Sequence, residues 1–310
     1  MRVAFLGNDA WSAPALRSLA DRGDMKICAV FTRPPVPTRR GGGTVPTPVG
    51  EAARELGLPL REVATVCRGE GREALEASQP EVLAVVAYGE ILPEDVLAIA
   101  SIAPLNLHFS LLPIYRGAAP VQRALLDGCA VTGVTVMRMD AGMDTGPILA
   151  QEEIEILDED DAGSLGARLA ERGAGLLAAT VASVGFGAGP EPREQDDASA
   201  TDAPRIEQRD IDWREPADRI LGLVRALAPV PGAATTHRGR RLKLLRVDVA
   251  DGEGPPGTLL RDEPSGPVVA AAPGGIRLIE VAPAGRRRMS GAEFARGARL
   301  AAGDVFGDSA

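Results

Sequence analysis

The stretch MRVAFLGNDAWSAPALRSLADRGDMKICAVFTR, Met1 to Arg33, decides the fold. MRVAFLG, with Val3, Phe5 and a turn at Gly7, reads as a buried first strand. SAPALRSLADRG then spaces its apolar residues as a helix does and stops at Gly23, and MKICAVFTR is strand-like again. The rhythm continues outward. PTPVGEAARELG is helical with a stop at Gly57, EVLAVVAYG is a continuous apolar strand, and LPEDVLAIA is a short helix. Strands alternating with helices predict an α/β fold, a mostly parallel sheet with helices on both faces. Such sheets place their chemistry at the carboxyl ends of strands, near a switch in strand order. Tyr88, Gly89 and residues 106–110 fall at such ends.

The chain has 310 residues, 45% of them hydrophobic, a length that favours two domains. After the helical SLGARLAERGAGLLAATVASV comes GFGAGPEPREQDDASATDAP, too rich in Gly, Pro and acids to bury a core. The expected division is therefore a first domain over 1–184, a linker over 185–204 and a second domain over 205–310. DIDWREPADRILGLVRAL brings a helix into the second domain. Short runs follow, RRLKLLRVDV, GTLLRD, GPVVAAA and GIRLIEVAP, separated by Gly and Pro, and predict a small all-β barrel or sandwich.

Charge divides the same way. Residues 205–310 carry 17 Lys and Arg against 14 Asp and Glu, net +3, whereas residues 1–204 carry 17 against 29, net −12. The asymmetry permits a polyanionic partner for the second domain despite the overall −9. No apolar run approaches the roughly 20 residues that span a bilayer, and no leader pattern opens the chain. A cytoplasmic protein, with no membrane partner, is expected. Cys28, Cys67 and Cys129 are odd in number, far apart and without CxxC spacing, so they read as reduced thiols, and no metal site is visible.

The chain has two histidines, and His108 lies at a predicted strand end in LNLHFSLLPIYRGAAP. Asn106, two residues earlier on an extended segment, sends its side chain from the same face. In MDAGMDTGPIL, Gly142 and Gly146 bracket a turn able to bring Asp144 against an imidazole. Asn, His and Asp together suit attack by an amine on a carbonyl. The oxyanion of the tetrahedral centre needs donors, such as an amide or an imidazolium. The attacking nitrogen must lose a proton, which an imidazole relays near neutral pH while a carboxylate orients it. Singly, each residue has an ordinary structural explanation: a strand-end histidine, a turn aspartate, and at Arg116 a solvated surface charge.

LNLHFSLLPIYRGAAP and MDAGMDTGPIL in combination resemble the formyltransferases that use 10-formyltetrahydrofolate. That resemblance implies Asn106, His108 and Asp144 as the catalytic set and places Ser110, Leu111, Leu112 and Pro113 in the folate site. VVAYGEILP looks like the family's pterin-holding strand and loop, with Ala87, Tyr88 and Gly89 as contacts. RGAAPVQRALLDG, RIEQRDIDW and APAGRRRMSG resemble the members that act on initiator methionyl-tRNA. They imply a Rossmann-like catalytic domain, an OB-like C-terminal tRNA-binding domain and a monomer.

Arg240, Arg241, Lys243, Arg286, Arg287 and Arg288 are then candidate phosphate contacts, with solvated strand faces the alternative. The loop over 32–48 interrupts the α/β rhythm, and in the family it enters the acceptor stem, which points to Arg39 and Arg40. Gly42 and Gly43 lower its charge relative to the family. GNDAWSA, with Asp9 and Trp11, also departs from the family's pattern, and Phe109 stands where many members have glycine, narrowing the pocket beside His108. Three rivals remain at this point. One is a formyltransferase acting on glycinamide ribonucleotide or an amino sugar. Another is a nucleotide-dependent oxidoreductase, disfavoured by the lack of GxGxxG after the first strand. The third is a tRNA-binding protein without catalysis.

Overall fold

The computed structural model describes residues 1–38 and 42–307. Arg39 and Arg40 lie outside the described residues. The rest forms two compact units, the first comprising Met1–Pro120, Val131–Glu155 and Gly166–Pro204, the second Val121–Ala130, Ile156–Leu165 and the chain from Arg205 onward. Residues 186–204, linker-like in composition, belong to the first unit.

The first unit opens with β1 (Arg2–Gly7), α1 (Ala13–Ala20) and β2 (Lys26–Thr32), the order expected from the opening stretch. A two-stranded hairpin of β3 (Val36–Pro37) and β4 (Thr44–Val45) fills the interruption. Then come α2 (Pro48–Glu55), β5 (Leu60–Glu62), α3 (Gly69–Ser78), β6 (Val82–Val86), α4 (Glu94–Leu97) and β7 (Ala103–His108). Thr47 caps α2 by accepting from Gly50 N, with Pro48 in the first turn, where its missing N–H costs nothing.

After α5 (Pro120–Leu126), the strands β8 (Val131–Arg138) and β9 (Ile148–Glu155) complete a seven-stranded sheet, and α6 (Ala162–Gly185) follows. Its order is β5-β2-β1-β6-β7-β8-β9, with five parallel strands and an antiparallel extension at β8 and β9. β6 is buried along its whole length and β1 from its second residue, as strands covered on both faces are. From β1 the chain builds outward to β2 and β5, then returns to place β6 and β7 on the other side. The switch in strand order thus lies between β1 and β6, where ligands of open α/β sheets bind.

The second unit contains α7 (Ala217–Leu227), β10 (Ala233–His237), β11 (Arg240–Ala250), β12 (Leu259–Glu263), β13 (Gly266–Ala270), β14 (Gly275–Pro283), β15 (Met289–Ser290) and α8 (Gly291–Ala298). The antiparallel order is β10-β11-β14-β13-β12, with β15 on β14. Phe306 pairs with His237 at one edge while Val305 pairs with Thr258 beside the other, so one tail segment joins both edges into a barrel-like closure. Closure removes the unpaired strand groups that an open edge exposes. Inside, Ile220, Val224 and Leu227 of α7 meet Leu242, Leu244, Ile276, Leu278 and Val281 of the sheet, with Trp213 and Phe306 packed edge-on.

Candidate active site

β7 ends on His108, and its parallel register with β6 pairs Val85 with Asn106 and Val86 with Leu107. Residues 87–89 therefore leave β6 beside the point where His108 leaves β7. His108 is 6% exposed, and its Nε2 lies 2.9 Å from the carbonyl oxygen of Tyr115. A carbonyl only accepts, so Nε2 carries hydrogen and Nδ1 is the nitrogen left to take a proton. Nδ1 faces Asp144 Oδ2 at 3.7 Å. The turn between Gly142 and Gly146 thus delivers a carboxylate to the imidazole.

Two features hold that carboxylate. Gly117 N donates to Asp144 Oδ2 at 2.8 Å, and Asp144 itself adopts φ 57°, a left-handed conformation that few non-glycine residues hold without support. Gly146 lies so close to β8 that a Cβ there would sit 1.9 Å from the Arg138 carbonyl oxygen, and only glycine fits. Asn106 is 9% exposed and lies two residues before His108 on β7, so the two side chains leave the strand on the same face.

The SLLP segment is braced from the antiparallel strands. Thr135 Oγ1 donates to Ser110 O at 2.7 Å and accepts from Leu112 N at 3.1 Å, while Gln151 Nε2 donates to Leu112 O at 2.8 Å. Ser110 and Leu112 are buried, Ser110 Oγ donating to Ile114 O, whereas Leu111 and Pro113 are partly exposed. The segment therefore presents backbone and two side chains, with the other two turned into the protein.

At the end of β6, Ala87 takes φ 43° and Gly89 φ 78°. A non-glycine residue in that region is strained, and such strain gathers at ligand sites. Asn8 donates to Tyr88 O across the strand-order switch. The Tyr88 ring is enclosed in the apolar core with its hydroxyl unpartnered, and burial pushes that phenol well above its ordinary range. Its side chain is a packing group in the apolar core. Asp9 accepts from Trp11 N, Ser12 N and Ser12 Oγ, and burial raises its carboxyl against those bonds. Phe109 packs edge-on against Trp11, centroids 5.8 Å apart, so two departures from the family pattern meet each other.

Arg116, for which a solvated surface charge was the ordinary alternative, is only 11% exposed in its side chain and donates to Gln195 Oε1 and Asp197 Oδ1. Sequence reasoning missed Gln195, Thr135 and Gln151. Thr135 had only a weak signal, one of two threonines in β8. Gln195 had none, since it sits in the acidic stretch with the composition of a linker.

In the second unit, Leu242 pairs with Pro283 and Ala284 N donates to Arg241 O, which brings Arg240, Arg241 and Lys243 to the end of the sheet where Arg286, Arg287 and Arg288 follow β14. All six are exposed. Arg241 pairs with Asp210 at 2.9 Å and Arg288 lies 3.4 Å from Glu280. Among the described residues no group of three or more His, Cys, Asp or Glu is placed to hold a metal ion, and no helix is long and apolar enough to cross a membrane.

The formyl transferase family matches residues 1–181, and the family's C-terminal domain matches residues 205–299. The chain belongs to the formyl transferase family. Relatives of this formyl transferase include methionyl-tRNA formyltransferase of Thermus thermophilus, 42% identical over 311 residues that cover 99% of both chains. Another is methionyl-tRNA formyltransferase of Roseiflexus sp., also 42% identical, over 100% of this chain and 96% of that one. Among solved structures, the formyl transferase fold is shared with an N-formyltransferase of Helicobacter canadensis in complex with folinic acid and dTDP-3-aminofucose. That likeness has a TM-score of 0.64 at 14% identity, covering 93% of this chain and 99% of the other.

Proposed function

We propose that this enzyme transfers the formyl group of 10-formyltetrahydrofolate to the α-amino group of initiator methionyl-tRNA. The observation that carries the chemistry is the His108–Asp144 pair, 3.7 Å apart, with the largely buried Asn106 two residues before His108 on the same strand. The amine nitrogen attacks the formyl carbon, and the carbonyl electrons move to oxygen, where the Asn106 amide stabilises the oxyanion. The amine's proton passes to Nδ1 of His108, and Asp144 stabilises the imidazolium so formed. Collapse breaks the bond from the formyl carbon to N10 of the folate, and N10 takes the proton that His108 received.

For the co-substrate, the strained backbone at Ala87, the left-handed turn at Gly89 and the braced loop from Ser110 to Pro113 supply donors and acceptors for a planar pterin. For the acceptor, the support is the full-length likeness to methionyl-tRNA formyltransferases and the exposed cations at 240, 241, 243 and 286–288. Arg39 and Arg40 extend that reading. Functionally we assign catalysis to 1–184, connection to 185–204 and tRNA binding to 205–310, in a cytoplasmic monomer.

The test mixes purified protein with 10-formyltetrahydrofolate and charged initiator tRNA, with glycinamide ribonucleotide and an amino sugar as parallel acceptors. Formylmethionyl-tRNA is the expected product, and formylation of another acceptor alone would overturn the assignment.

A further inference from the structure

The stretch from Arg193 to Ala203 reads as a linker in sequence, yet it is bonded to strand β9 and to two loops around the candidate site. At one end Arg193 exchanges two backbone hydrogen bonds with Ile148, each 2.8 Å, and its guanidinium donates to Gln151 Oε1, the residue that braces Leu112. At the other end Tyr115 N donates to Thr201 Oγ1 at 2.8 Å, and Ala203 N donates to Arg116 O at 2.7 Å. Tyr115 is the residue whose carbonyl holds His108 Nε2.

Gln195 lies between. Its Nε2 donates to the carbonyl oxygens of Asp144 at 2.9 Å and of Gly146 at 2.7 Å, and its Oε1 accepts from Arg116 Nε at 3.0 Å. The carbonyls can only accept and the guanidinium can only donate, so the partners dictate which way the amide points. Arg116 is in turn paired with Asp197 at 2.8 Å. One amide thus secures both carbonyls of the turn that holds Asp144 at φ 57°, a conformation with little intrinsic stability.

We propose that Gln195 is a positioning residue for formyl transfer, acting through the Asp144 turn to keep its carboxylate facing His108. This rests on the roles proposed for His108 and Asp144. A displacement on the order of 1 Å at a reacting group costs about 100-fold in rate, so a loosened turn reaches the chemistry without touching substrate.

Gln195→Glu keeps the size and the acceptor for Arg116 but sets an oxygen against two carbonyls. Gln195→Met removes the polar contacts without adding charge. Both are assayed as full-length protein with 10-formyltetrahydrofolate and charged initiator tRNA, with thermal melting as the measure of folding. The expected result is a fall in kcat of about 10-fold to 100-fold with KM for the folate within about twofold. In an Asp144→Ala background the same substitutions cost less than about twofold more, because the group they position is gone. A kcat within twofold of wild type in either folded variant overturns the proposal, as does an undiminished loss in the Asp144→Ala background. Wild-type turnover by Asp144→Ala alone would instead overturn the roles on which it rests.

Discussion

The carboxyl end of β7 and the basic end of the C-terminal sheet handle polar groups in opposite ways. At β7 the polar groups are few, nearly enclosed and tied to named partners: His108 to Tyr115 O and Asp144, Asp144 to Gly117 N, Arg116 to Gln195 and Asp197. At the other end Arg240, Lys243, Arg286 and Arg287 stand in solvent within a cluster of like charges. Burial lowers the local dielectric, so each interaction near His108 is strong and sensitive to geometry. Exposed cations act through screened sums in which one member is replaceable. Single substitutions should therefore be severe in the first region and graded in the second.

The largest effect belongs to His108→Ala and Asn106→Ala. Each is expected to lower single-turnover formylation by at least about 100-fold, and near-normal rates in a folded variant would break the contrast at its strong end. Asp144→Asn keeps the size and an acceptor for Gly117 N while removing the charge, so its loss should be smaller, about 10-fold or more in kcat. An Asn variant as impaired as His108→Ala would sharpen the picture by showing that charge outweighs placement.

Gly146→Ala forces a methyl toward the Arg138 carbonyl and must shift the turn. We expect a kcat loss of about 10-fold with little change in KM for the folate, read by steady-state kinetics. The smallest effect is expected at Arg287→Ala, where KM for the tRNA rises a few-fold at unchanged kcat. The salt dependence of binding should become shallower by about one unit per phosphate contact removed, and by more when residues 286–288 are replaced together. Loss of turnover from the single change at low salt would show that the basic end is not graded.

Much of this architecture was legible because local pattern and burial agree. Val3 to Leu6 and Val82 to Val86 are apolar without interruption because both faces of their strands are covered, and the stop at Gly57 falls where α2 ends. The antiparallel turn taken by β8 and β9 was not legible, since strand direction leaves no mark on side-chain periodicity. The surroundings of Arg116 were hidden for a related reason. Its identity is compatible with solvent, and only partners 79 and 81 residues away draw it under cover.

The sequence by itself determined the alternation of strands and helices, the change to β structure after residue 204, and the placing of Asn106 and His108 two apart at a strand end. These depend on residues within a few positions of one another, whose spacing records which face meets the core. Tertiary structure alone decided that Gln195 reaches the Asp144 turn across 51 residues and that Thr135 braces the SLLP loop across 25. A hydrogen bond of about 3 Å depends on the path of the whole intervening chain, and composition carries no record of that path.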